Sequence, residues 1–427
     1  MSSLRQQVCQ SLLGRKRVLE ICTAEKENSQ QTTPPQKTRL CSLDTFRGIA
    51  LLVMIFVNYG GGRYWFFEHA PWNGLYLADL VFPWFIWIMG VSMAFSTRSL
   101  LRKSVPRWKI FKNILKRSCI LFALGIILNT YGGYNNLQKI RIPGVLQRFG
   151  ISYFVVSSVH LLFTKPNDIH QKKIWASVRD ILPYWLEWLI MFGILLTHIL
   201  LTFLLEVPGC PKGYLGPGGI HNGGDYFNCT GGAAGYIDRV ILGEAHIYQH
   251  PTIKVIYLTE LPYDPEGILG FLTSIFLVFL GLQAGKILLT YQDWKPRIGR
   301  WLIWGTIIGL IAIILSKASI NDGWIPINKN LWSISFIFAT GAMGFYLLSI
   351  CYFIIDVKKW WTGAPFFFSG MNSILIYVGH SLTSELFPWT WHVGQTHWEH
   401  LAVDLWGVTL WVIISIWLYY KKLFLAV

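Results

Sequence analysis

Long apolar stretches recur from residue 43 almost to the C-terminus, and no other feature constrains the fold so tightly. Ten can be marked, at roughly 43–60, 78–97, 118–133, 144–163, 183–205, 267–290, 301–316, 331–355, 366–382 and 401–420. Each has, or nearly has, the length a helix needs to cross a hydrocarbon core of about 30 Å. Lipid offers the backbone no hydrogen-bonding solvent, so such segments must be helices rather than open strands. Only 14% of residues are charged, against about 25% in an ordinary soluble domain. The expected fold is therefore all-α, a polytopic integral membrane helix bundle of about ten transmembrane helices. A disordered chain and a soluble enzyme are both poor fits.

The net charge of +15 would raise nucleic-acid binding in a soluble protein. Here it follows the topology. Loops on one side of the ten spans, with both chain ends, hold 26 Lys and Arg, and those on the other side hold 8. The positive-inside rule then places both termini in the cytosol. Nucleic acid is not needed as a partner, although some of the charge can meet anionic membrane lipid or a phosphorylated ligand. Residues 1–40 are polar and basic with no signal-peptide core, and read as a cytosolic, disordered tail. Residues 41–427 form the membrane domain, with a Gly-rich luminal loop at 206–266.

Of seven cysteines, only Cys210 and Cys229 fall on the external side. A bridge between them would close the intervening stretch and contribute about 3 kcal/mol by loop entropy; the alternative is two free thiols. Asn228-Cys229-Thr230 is a glycosylation sequon on the same side. The glycines near Gly216 to Gly224 are not a phosphate loop, because no Gly-Lys-Ser/Thr follows.

Ionisable groups in or beside spans are functional candidates, because their burial is costly. His69 lies among aromatic residues at an external span end and could be an acid, base, nucleophile or metal ligand. It could equally anchor at the interface. Asn58 could orient an imidazole or donate to an oxyanion, or simply cap its helix. Asp79 reads as a helix N-terminal residue complementing the dipole. Arg148 and Glu266 open the fourth and sixth spans and could pair; Arg141 lies beside them. Asn372 and His380 fall in the ninth span. Arg47, one turn after Asp44, could pair locally or bind a phosphate together with the basic 98–117 loop. His392, His397 and His400 cluster without the carboxylate or Cys pattern a zinc site needs, so no metal is expected.

Several runs together carry a resemblance. They are Asp44-Thr45-Phe46-Arg47-Gly48, Val57-Asn58-Tyr59-Gly60-Gly61-Gly62, Trp72-Asn73-Gly74, Ala78-Asp79-Leu80-Val81-Phe82-Pro83-Trp84 and Arg141-Ile142-Pro143-Gly144. Further along come Pro208-Gly209-Cys210-Pro211, Asn228-Cys229-Thr230-Gly231-Gly232, Tyr263-Asp264-Pro265-Glu266-Gly267 and Gly370-Met371-Asn372-Ser373. In order from about residue 40 onward, they closely resemble the heparan-α-glucosaminide N-acetyltransferase family of the lysosomal membrane. The resemblance implies transfer of acetyl from cytosolic acetyl-CoA to the terminal glucosamine amine of a heparan sulfate oligosaccharide in the lumen. It implies His69 as the active-site histidine and Asn58 as its assistant. Arg47 is the expected acetyl-CoA contact, and Arg141, Arg148 and Glu266 are expected near the sugar. A homodimer is a further option. Family members carry a luminal domain and another span before this region, where this sequence has the 40-residue tail. Rival readings are a transporter of an acidic solute, an acyltransferase on another amino-sugar, and a silent scaffold.

Overall fold

The computed structural model describes residues 40–131, 136–164 and 178–425. All of the expected tail but Leu40 lies outside them. Among the described residues the protein is helical, with a single isolated bridge, Asn73 with Asn328, in place of any sheet.

The long helices are α1 (Cys41–Tyr59), α2 (Leu77–Arg102), α3 (Arg107–Thr130), α4 (Val145–Phe163), α5 (Trp185–Leu204), α8 (Ile268–Thr290), α9 (Trp294–Ser316), α10 (Ile334–Cys351) and α13 (His397–Tyr420). A π-helical stretch, Tyr352–Val357, extends α10. Eight of these are long and apolar enough to cross a membrane. The other, α3, begins at Arg107 rather than near 118, and its first turns do not read as an apolar span because they carry Arg107, Lys109, Lys112, Lys116 and Arg117. The expected ninth span is two pieces, α11 (Phe366–Met371) and α12 (Ser373–Thr383), interrupted at Asn372. The Asn372 side chain donates to the Leu423 carbonyl (3.0 Å) and accepts from the Leu425 N–H (3.1 Å), both beyond α13. Two short helices, α6 (Gly232–Leu242) and α7 (Thr252–Ile256), lie in the long connection before α8.

The bundle has a packed centre and a lipid-compatible rim. α2 and α8 are mostly buried, whereas α5, α9 and α13 leave most of their surface open. Their outward residues, such as Leu189, Phe192, Leu196, Ile303, Ile307 and Ile413, are exposed apolar groups suited to hydrocarbon. With no hydrophobic force between helices in lipid, close packing must hold them. A Cβ at Gly90 would strike the Val278 carbonyl, and one at Gly281 the Trp87 carbonyl, so α2 and α8 meet through small residues. α1 meets α11 in the same way, at Gly48 and Gly370. The loops at 60–76, 205–267 and 317–333 gather at one end, here the loop-rich end. The opposite, basic end carries the connections at 103–106, 291–293 and 358–365.

Candidate active site

The site begins where α1 stops. Gly60, Gly61 and Gly62 have φ of 122°, 57° and 68°, values that side chains resist, so the triple glycine makes a tight reversal possible. That reversal is pinned from a distant helix. The Gly62 N–H donates to Asp404 Oδ2 (2.8 Å), and its carbonyl lies 3.0 Å from His397 Nδ1, both on α13. His397 also stacks on Tyr64. The chain then runs through an aromatic segment to His69.

Asp79, in the first turn of α2, is completely buried. Its Oδ2 accepts from the backbone N–H of Tyr76 (3.1 Å) and Ala70 (3.2 Å). Its Oδ1 lies 2.7 Å from Nδ1 of His69. The helix-terminal reading and a functional one thus belong to the same carboxylate. A carboxylate only accepts, so it holds the imidazole proton on Nδ1 and leaves the Nε2 lone pair free. The His69 side chain is 46% exposed. An oriented, accessible imidazole can act as a general base or as a nucleophile.

A cation completes the group. The segment before α10 is tied to the Trp72-Asn73-Gly74 stretch. Gly74 N–H donates to the Ile327 carbonyl (2.8 Å), and Asn328 Nδ2 to Asn73 Oδ1 (3.0 Å). This docking places Lys329 Nζ 2.9 Å and 3.1 Å from the two ring nitrogens of His69, and 3.8 Å from Asp79 Oδ1. Burial pulls the Lys329 ammonium below its ordinary pKa, with Asp79 and Glu266 opposing.

The other expected site residues are distributed differently. Asn58 is exposed and lies 3.0 Å from Nε2 of His380, so the imidazole it meets is not that of His69; the orienting group on His69 is Asp79. Arg141 grips Asp264 (2.8 and 2.6 Å) and Glu266 (2.7 Å). Burial penalises this guanidinium, but Asp264 and Glu266 more than offset it and hold its pKa above the usual arginine value. Burial raises Glu266 less than Arg141 and Arg148 lower it, so it stays ionised. Arg148, expected near the sugar, lies in the interior. It is fully buried, donates to the Pro265 (3.0 Å) and Gly267 (3.2 Å) carbonyls, and lies over Trp332. It sits one turn inside α4, too deep for the surface, and buttresses the 264–267 turn.

Arg47 lies toward the basic end. It bonds Asp44 (3.1 Å), the Gly370 carbonyl (3.3 Å) and Ser92 (2.6 Å). It lines a cavity of about 420 Å³ with Ser92, Ser96, Asn113, Arg117 and Tyr153. Arg117 lies over the Tyr153 ring, and its buried Nε has no hydrogen-bond partner among the described residues. Among the described residues no group of three or more His, Cys, Asp or Glu could hold a metal ion.

Residues 39–168, which hold α1, His69 and Asp79, match the family described as heparan-alpha-glucosaminide N-acetyltransferase, catalytic. Over 394 residues, 90% of this chain, the sequence is 52% identical to heparan-alpha-glucosaminide N-acetyltransferase of Homo sapiens. The chain belongs to this family. Over 402 residues, 92% of this chain, it is 50% identical to the Mus musculus enzyme of the same name. The chain spans about three fifths of the length of these relatives, 59% and 61%.

Two members of the site carried little or no sequence signal. Asp79 was visible only as a helix-terminal residue. Lys329 is one of two lysines between the seventh and eighth spans, with no spacing that ties it to His69. In the long loop, Cys210 and Cys229 are joined in a disulfide, and Asn228 beside it is exposed.

Proposed function

We propose that this chain is a transmembrane acetyltransferase. It moves acetyl from cytosolic acetyl-CoA to the non-reducing terminal glucosamine amine of heparan sulfate in the lysosomal lumen. In this reading both termini and the basic end face the cytosol, and the loop-rich end faces the lumen. The Asp79–His69 pair, open at one end of the bundle and sharing α2 with a cavity lined by Arg47 and Arg117, is the observation that carries it.

α2 connects the two ends. It supplies Asp79 at the site and Ser92 and Ser96 to the cavity. Thirteen residues of helix span about 20 Å, a distance an extended pantetheine arm can cover. Arg47 and Arg117 would meet the phosphates of acetyl-CoA in the cavity, and the thioester would reach toward His69. Nε2 then either attacks the acetyl carbon or takes the proton of the incoming amine, with Asp79 fixing the ring in both cases. Glu266 and Arg141 would line the acceptor side. Asn58, beside His380, is a candidate donor to the sugar or to the oxyanion.

The test is acetyl transfer from labelled acetyl-CoA to a glucosamine-terminated oligosaccharide by protein in sealed proteoliposomes. Wild type should transfer acetyl across the membrane, and His69→Ala should not, while still binding CoA. Transfer that persists in His69→Ala, or label uptake without acetylation, would sink the reading; the latter would favour transport.

A further inference from the structure

The contact between Lys329 and His69 supports a role that the acetyl-transfer reading above does not assign, and it rests on that reading. We infer that Lys329 is a further catalytic residue, whose ammonium stabilises the negative charge that develops on the acetyl carbonyl oxygen. An ammonium has three donors and no acceptor. The Nδ1 proton of His69 is directed at Asp79 Oδ1 (2.7 Å), and Lys329 Nζ sits beside both ring nitrogens, 2.9 Å from Nδ1 and 3.1 Å from Nε2, rather than along the Nε2 lone pair.

The Nε2 lone pair therefore stays open to the acetyl carbon. The Nε2 lone pair forms the new N–C bond, and the carbonyl π pair moves onto oxygen. This oxygen is two bonds from Nε2, within reach of the ammonium held 3.1 Å from that nitrogen. On collapse the C–S bond breaks, and CoA leaves as thiolate and takes up a proton. The glucosamine amine then adds to the same carbon, the oxyanion forms again, the imidazole leaves, and the amine nitrogen releases its proton to solvent. If the amine instead attacks the thioester while Nε2 takes its proton, an oxyanion of the same kind forms beside the ring. In both routes a donor that binds the oxyanion better than the ground state lowers the barrier.

The position is built in. The Asn73–Asn328 bridge fixes the backbone beside Lys329, and Asp79 Oδ1 at 3.8 Å supplies a counter-charge. The test compares wild type, Lys329→Met and Lys329→Arg in steady-state acetyl transfer, with thermal unfolding measured on each. Lys329→Met should lose about 10²-fold in kcat, the usual cost of one oxyanion donor. KM for acetyl-CoA and the unfolding temperature should stay near wild type. Lys329→Arg should recover at least tenfold, and ethylammonium added to Lys329→Ala should restore part of glucosamine acetylation. A kcat for Lys329→Met within threefold of wild type would overturn the inference. So would a loss that follows the unfolding temperature and responds to neither arginine nor ethylammonium. Absence of transfer in wild type would instead defeat the acetyltransferase reading, and this inference with it.

Discussion

Replacing Asp79 by Asn tests the proposed role of the carboxylate most directly. The change is nearly isosteric, but the surroundings dictate how the amide must sit. The N–H groups of Tyr76 and Ala70 both point at Oδ2, so the amide oxygen has to occupy that position. The NH2 group then faces Nδ1 of His69 and donates where the carboxylate accepted. Nδ1 must become an acceptor, which moves the imidazole proton to Nε2 and removes the lone pair the chemistry needs. Loss of a hydrogen bond to a charged group costs about 1.5–3 kcal/mol, or roughly 10- to 10²-fold in rate at about 1.36 kcal/mol per decade. Inversion of the tautomer adds to this; the corresponding change in a serine-protease triad costs about 10⁴-fold. Asp79→Asn should therefore lower kcat by about 10³-fold, measured as single-turnover acetyl transfer. The amide oxygen keeps the bonds from the Tyr76 and Ala70 N–H groups, so the unfolding temperature should hold. A kcat within tenfold of wild type, in a preparation where His69→Ala is inactive, would refute the argument.

Other expectations follow from groups around the site. Burial pushes the Asp238 carboxyl up to about 7, whereas an unfolded aspartate titrates near 3.9. The native state then binds more protons between about pH 4 and 7, so its stability is greatest below that window and falls as pH rises through it. Thermal unfolding of wild type should weaken from pH 5 to pH 8, and Asp238→Asn should flatten the slope. Arg148→Met removes a buried cation from the 264–267 turn, and should cost roughly 3 kcal/mol or more. The readout is a loss of monodisperse protein on size-exclusion chromatography, rather than a change in KM for the acceptor. Cys210→Ser opens a 19-residue separation and should cost about 3 kcal/mol, read as earlier proteolysis of the loop in the mutant.

The helices were legible because lipid imposes them. A run such as Ile268–Thr290 has no other way to satisfy its backbone. The break at Asn372 was not, because the groups that bind its side chain, at Leu423 and Leu425, lie some fifty residues away. His69 was found through its motif, and Asp79 through its helix position; their meeting required the glycine reversal to fold back on α2. Lys329 stayed hidden, since its place depends on Asn328 docking against Asn73 from 255 positions away. Arg148 lies deeper than its place in the sequence suggests. A charge near a span end reads as surface, but one helical turn of depth and Trp332 overhead close it in.

The clasp on Gly62 also has a temporal meaning. A ribosome releases His69, Asp79 and Lys329 well before it reaches His397 and Asp404, the two residues that hold the glycine turn. Until the final helix has inserted, the chain carries its reactive imidazole on an untethered reversal. Activity would then switch on only at the close of biosynthesis, and a premature stop between Lys329 and α13 would discard the fastening while sparing every reacting group.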